Sequence, residues 1–133
     1  MPVNILLKTI AVALVVGGNA AAGQAGKVDS SQAATFMGTW VMLMTEPVGA
    51  HETVRIWDQN GVLAASVQSE QSPPITVTGV LKDGDMLILT ATRYENGRPI
   101  WAVVALTLDG DTMKMAQMLQ PSRTIKRGSG KRQ

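Results

Sequence analysis

Eight short runs of alternating apolar and polar residues, Asn-Gly and Asp-Gly turns between them, and connections too short for a crossover predict an all-β fold. The architecture expected is a small eight-stranded antiparallel up-and-down barrel. Neighbours in sequence must then be antiparallel neighbours in space. A meander of that size leaves two unpaired edges unless it closes. Eight strands close around packed side chains or one small ligand.

The 133 residues allow a single domain. Its opening segment is expected to lie outside that domain. "MPVNILLKTIAVALVVGGNAAAGQAGK" sets one cation, Lys8, before an apolar run from Ile10 to Val16, and small residues follow. That is the layout of a secretory signal peptide, assigned to residues 1–22, with cleavage after Ala22 or Ala25. The apolar run is too short for a bilayer span of about 20 helical residues. No stable membrane anchor is therefore expected after cleavage, and the mature protein is expected to be periplasmic or secreted. The chain has no cysteine, so an exported domain must be held by packing alone.

Residues 23–35 form an N-terminal segment. In it "VDSSQAAT" predicts a short helix or turn, with Ser30 or Ser31 as its cap. The barrel domain is assigned to 36–127. Its strands are expected at 36–45, 51–58, 62–69, 75–82, 86–94, 99–108, 112–119 and 122–127. "DQNG" (58–61), "DGD" (83–85), "ENG" (95–97) and "DGD" (109–111) supply the positive φ of tight hairpin turns. "QSPP" (71–74) cannot continue a ladder, because proline lacks the donor. Residues 128–133, at the end of "RGSGKRQ", read as a disordered basic tail whose removal from Ser129 leaves the fold intact.

The formal net charge is +2, with Arg123, Lys126, Arg127, Lys131 and Arg132 all near the C-terminus. So few charges read as a solvated end, and nucleic-acid binding is not expected.

"FMGTWVMLM" (36–44) opens the first strand after a short capping turn. Its Gly-x-Trp, with a basic residue near the last strand, resembles the calycin group of lipocalins, fatty-acid-binding proteins and related small barrels. The resemblance implies that Trp40 sits at the closed end, with Gly38 in the glycine position. It implies that Arg127, or Lys126 beside it, packs on the indole, where a guanidinium gains cation–π attraction. Some small exported members of that group are proteinase inhibitors; the motif itself speaks to fold, not to ligand.

Candidate chemistry is sparse. His51 and Glu52 are adjacent on a strand, point to opposite faces and form no dyad. The turn aspartates are too few per loop for calcium, which takes six or more oxygens. No nucleophile motif is present. Arg55 and Trp57 share one strand face, opposite Val54 and Ile56. Arg93 shares a face with Leu87 and Leu89, and such a charge either reaches water at a strand end or orients a ligand. Methionine is abundant and phenylalanine single. Core filling, a deformable pocket wall and a soft Cu(I) site are the readings of those thioethers, with core filling favoured and no metal assigned.

The expectation is thus a non-enzymatic exported barrel without a cofactor, binding a small apolar or amphipathic ligand. Its predicted ligand wall is Trp40, Met42, Met44, Met113 and Met115, brought together where first and last strands meet. The alternative is a protein-interaction module, such as a proteinase inhibitor. "WAVVALTL" (101–108), apolar on both faces, would offer such a surface.

Overall fold

Turn chemistry sets the strand boundaries. Asn60 and Gly61 both take positive φ, 55° and 91°, and Asn96 and Gly97 do the same at 54° and 78°. Asn-Gly pairs adopt this conformation readily, and its twist matches the flanking strands. The computed structural model describes residues 27–45, 48–70 and 75–133. The expected signal peptide and the "QSPP" breaker lie outside the described residues.

The strands are β1 (Gly38–Thr45), β2 (Val48–Gln59), β3 (Val62–Ser69), β4 (Ile75–Asp83), β5 (Met86–Glu95), β6 (Arg98–Asp109), β7 (Thr112–Gln120) and β8 (Thr124–Arg132). Each pairs antiparallel with the next, and β8 pairs back to β1, so the barrel is closed. The predicted fold class holds, and the architecture is consistent with a calycin-like fold.

A 3-10 helix (Ser30–Phe36) precedes β1. Its cap is Asp29, not Ser30 or Ser31. The Asp29 carboxylate accepts from the Ser31 backbone N–H at 2.9 Å and from Ser31 Oγ at 2.7 Å. These bonds hold the Asp29 carboxyl below its ordinary range. An acid one residue earlier reaches the first free N–H groups better than either serine. Ser30 Oγ instead donates to Asp58 Oδ1, and the Ser30 N–H to Gly61 O at 2.9 Å. The helix therefore sits at the end of the barrel that carries the β2–β3, β4–β5 and β6–β7 turns. Val28, Ala33 and Phe36 are buried there in the main apolar cluster. This is the closed end. The opposite end, where β1, β3, β5 and β7 finish, is the mouth.

The last six residues correct the sequence reading. Residues 128–133 are not a disordered tail: most of them complete β8. Met42 pairs with Gly130 and Met44 with Gly128 on one side, and Met113 and Met115 pair with the same two glycines on the other. Glycine alternating at 128 and 130 resembles a flexible linker. Its physical role is to let neighbouring chains approach closely. A Cβ at Gly130 would stand 1.9 Å from Val41 O, and one at Gly128 would stand 2.6 Å from Met44 Sδ. The barrel domain thus runs to Arg132 instead of ending at 127.

One seam is short. Among the described residues only Ser66–Thr76 and Val67–Ile75 join β3 to β4. Near the closed end the edge of β3 takes another partner. The Leu63 N–H donates to Val28 O at 2.8 Å, and Asp29 forms a bridge with Val62. The N-terminal segment thus covers backbone groups that β4 leaves open.

Candidate functional site

Side-chain parity sends one residue set inward on every strand. In the closed half this set is Trp40, Met42 and Met44 of β1, Val54 and Ile56 of β2, Leu87 and Leu89 of β5, Leu106 of β6, and Met113 and Met115 of β7. All are buried in one cluster. Trp40, Met42, Met44, Met113 and Met115 do lie in one wall, with the β8 glycines between the two methionine pairs. It is also packed: Met42 and Met113 are wholly enclosed.

Trp40 stands at the closed end, as the resemblance implied, and Nε1 donates to Phe36 O at 2.9 Å. Its basic partner is Arg132, not Arg127 or Lys126. The Arg132 guanidinium lies 4.6 Å from the indole centroid, and Nη2 donates to Thr35 O at 2.5 Å. Register explains the correction. Trp40 pairs with Arg132, whereas Arg127 lies five residues back along β8, opposite Ala116, and is exposed. Gly38, at φ 130°, presses against the Arg132 side chain and so leaves it room over the indole.

Toward the mouth the interior changes character. Along β7 the inward residues run Met113, Met115, Gln117, Leu119, so a buried amide interrupts the apolar series. Next to it on β8 is Lys126, its register partner. Lys126 Nζ stands 3.7 Å from Glu52 Oε2 of β2, and the Glu52 side chain is only 5% exposed. Arg93 of β5 is half-buried, its Nε is enclosed, and its charge acts on Glu52. Four strands thus contribute to one polar layer across the lumen. Beyond it Ile75, Ala91, Ala102 and Leu119 form a second, separate apolar cluster, with Ile100 packed against it. Ala91 and Ala102 are register partners and are both buried in this cluster.

Electrostatics in this layer are unbalanced. Burial pushes the Glu52 carboxyl above its ordinary range, while the Lys126 and Arg93 charges pull it partway back. Among the described residues no donor reaches Glu52 Oε1 or Gln117 Oε1, although both oxygens are buried. A buried acceptor without a donor costs roughly 1–3 kcal/mol.

The other singled-out residues fall elsewhere. His51 and Glu52 do point to opposite faces. His51 is exposed, with Nδ1 at 3.1 Å from Glu70 Oε1, and its backbone N–H donates to the same oxygen at 2.7 Å. These hydrogen bonds hold the Glu70 carboxyl below its ordinary range. Arg55 and Trp57 face outward. Asp58 accepts from the Gly61 N–H at 3.1 Å, which is turn chemistry. Asp109 and Asp111 pair with Lys114 and Lys131, each at 3.6 Å. Among the described residues no group of three histidine, cysteine or acidic side chains could hold a metal ion.

Sequence reasoning missed Glu52, Gln117 and Lys126 as a group. The signal was parity: Glu52 shares its face with Val54 and Ile56, Gln117 with Met113 and Met115, and Lys126 with Gly128 and Gly130. No family model matches the chain, and neither does any curated protein or solved structure.

Proposed function

We propose that this chain is an exported, non-enzymatic barrel of lipocalin-like type that holds a small amphipathic molecule in its mouth, head inward. The observation that carries this reading is the pair of buried acceptors, Glu52 Oε1 and Gln117 Oε1, set between two apolar clusters. A buried charged layer detracts from stability compared with a packed apolar one, so its presence calls for a role other than holding the fold. The apolar part of the ligand would lie among Ile75, Ala91, Ile100, Ala102 and Leu119. The methionine wall serves as the packed floor beneath the site.

Titration calorimetry on the mature protein tests this, with a dodecyl amphiphile kept below its micelle concentration. Saturable binding is expected, and Ala102→Leu should weaken it about tenfold or more by occupying the space among Ala91, Ile100 and Leu119, with circular dichroism checking that the variant folds. Heat signals that do not saturate, or that ignore Ala102→Leu, would remove the reading.

A second reading has its own observation. Trp101 and Tyr94 are 51% and 72% exposed on the outer face, with Val103 and Met118 half-buried beside them. Exposed aromatics of this kind suit a protein partner. Trp101→Ser should abolish partner capture on that reading and leave amphiphile binding untouched.

A further inference from the structure

Resting on the ligand reading above, we infer that the polar layer selects an uncharged head group that donates hydrogen bonds, a hydroxyl or primary amide, over a carboxylate or an ammonium. Among the described residues the layer holds one carboxylate, Glu52, two cations, Lys126 and Arg93, and the buried Gln117 amide, set between two apolar clusters.

Consider each class of head group. A carboxylate gains attraction from the cations, but it meets Glu52 and brings no donor to either buried acceptor. Two carboxylates sharing a desolvated site repel each other. An ammonium supplies donors, but it must settle beside Lys126 and Arg93, and desolvation adds to its cost. A neutral hydroxyl or amide supplies the donors with no net charge to desolvate. Its own oxygen can accept from Lys126, whose contact with Glu52, at 3.7 Å, is longer than a hydrogen bond. A polyol head offers two donors at once, one for Glu52 Oε1 and one for Gln117 Oε1.

Specificity of this kind is steep. A site with buried polar groups rejects a ligand that leaves them unpaired far more strongly than an apolar pocket rejects a misfit. The apolar mouth supplies affinity without discrimination, and the layer supplies the choice.

Three amphiphiles with one chain length separate the possibilities: glycerol monododecanoate, dodecanoate and dodecylammonium, each titrated calorimetrically against the mature protein. The glycerol ester is expected to bind about tenfold or more tighter than either charged analogue. Gln117→Met, close in size and apolar, should weaken the ester about tenfold, because it removes one of the two buried acceptors. Glu52→Gln should strengthen dodecanoate binding, because it removes the one negative charge that the described residues bring to the layer and keeps the shape. Circular dichroism checks that both variants fold, and the wild-type ranking needs no variant. Dodecanoate or dodecylammonium binding as tightly as the ester would overturn the head-group inference while leaving an amphiphile-binding barrel standing. If none of the three binds, the ligand reading itself falls, and this inference with it.

Discussion

The two halves of the barrel are built from the same strands and the same inward parity, yet they are opposite in chemistry. In the closed half Trp40, Met42, Leu87, Leu106 and Met113 are almost wholly enclosed, and the polar atoms there have partners, as with Trp40 Nε1 on Phe36 O. In the mouth half a smaller apolar cluster stands beside charged and amide side chains, and two buried oxygens have no donor among the described residues. A strand that carries Val54 and Ile56 in one half carries Glu52 in the other. The difference teaches that a small barrel divides its length: apolar packing is concentrated at one end, so that buried polar groups can be tolerated at the other.

The strongest way to break that division is to unseat the closed end. Deleting residues 128–133 removes five β1–β8 register pairs together with Arg132. Loss of the cooperative unfolding transition is expected in a denaturant melt. A truncated chain that still melts sharply would mean that the seam is not needed for closure. Trp40→Ala should cost about 3–5 kcal/mol, the range for a buried aromatic. A loss under about 1 kcal/mol would show that the closed half does not hold the stability assigned to it.

Gly130→Ala comes next, at about 1–3 kcal/mol, since the added methyl would run into the Val41 carbonyl. Arg127→Ala on the same strand should be near neutral by the same melt, because that side chain is exposed.

The smallest effect sharpens the mouth side. The Glu52 carboxyl is raised by burial, so the folded state takes up its proton more readily than the unfolded chain does. Its contribution to stability is full below the unfolded carboxylate range and is lost as pH rises through the raised value. Wild type should therefore lose stability relative to Glu52→Gln as pH climbs through that window. Parallel melting curves for the two proteins across it would place Glu52 in water.

The eight strands were legible because Asn-Gly and Asp-Gly turns leave little choice of boundary, and alternation does the rest. The second half of β8 was not. Its inward residues are two glycines and Arg132, none of them apolar, and its outward residues are polar, so "GSGKR" has the composition of a linker. Only the neighbouring strands reveal that the glycines make room for Met44 and for the Val41 carbonyl. The same blindness hid the basic partner of Trp40, since Arg132 matters only if the strand reaches it.

The floor of the site was readable from Met42, Met44, Met113 and Met115, whose spacing places each pair on one face. The polar layer was not, because Glu52, Gln117 and Lys126 come from three strands and meet only on closure. Arg93 marks the boundary between the two cases. Its shared face with Leu87 and Leu89 was visible, but not the carboxylate its charge would meet.

The short edge contact made by Val28 and Asp29 has a consequence for how the protein can be attached to other things. The chain enters the fold beside Leu63, and at its other end the Gln133 N–H donates to Thr39 O at 2.8 Å. Both points lie at the closed end. A polypeptide or surface joined directly at Lys27 or at Gln133 therefore tethers the barrel by its base. The opposite end of the barrel, where Glu52, Gln117 and Lys126 lie, faces away from that attachment.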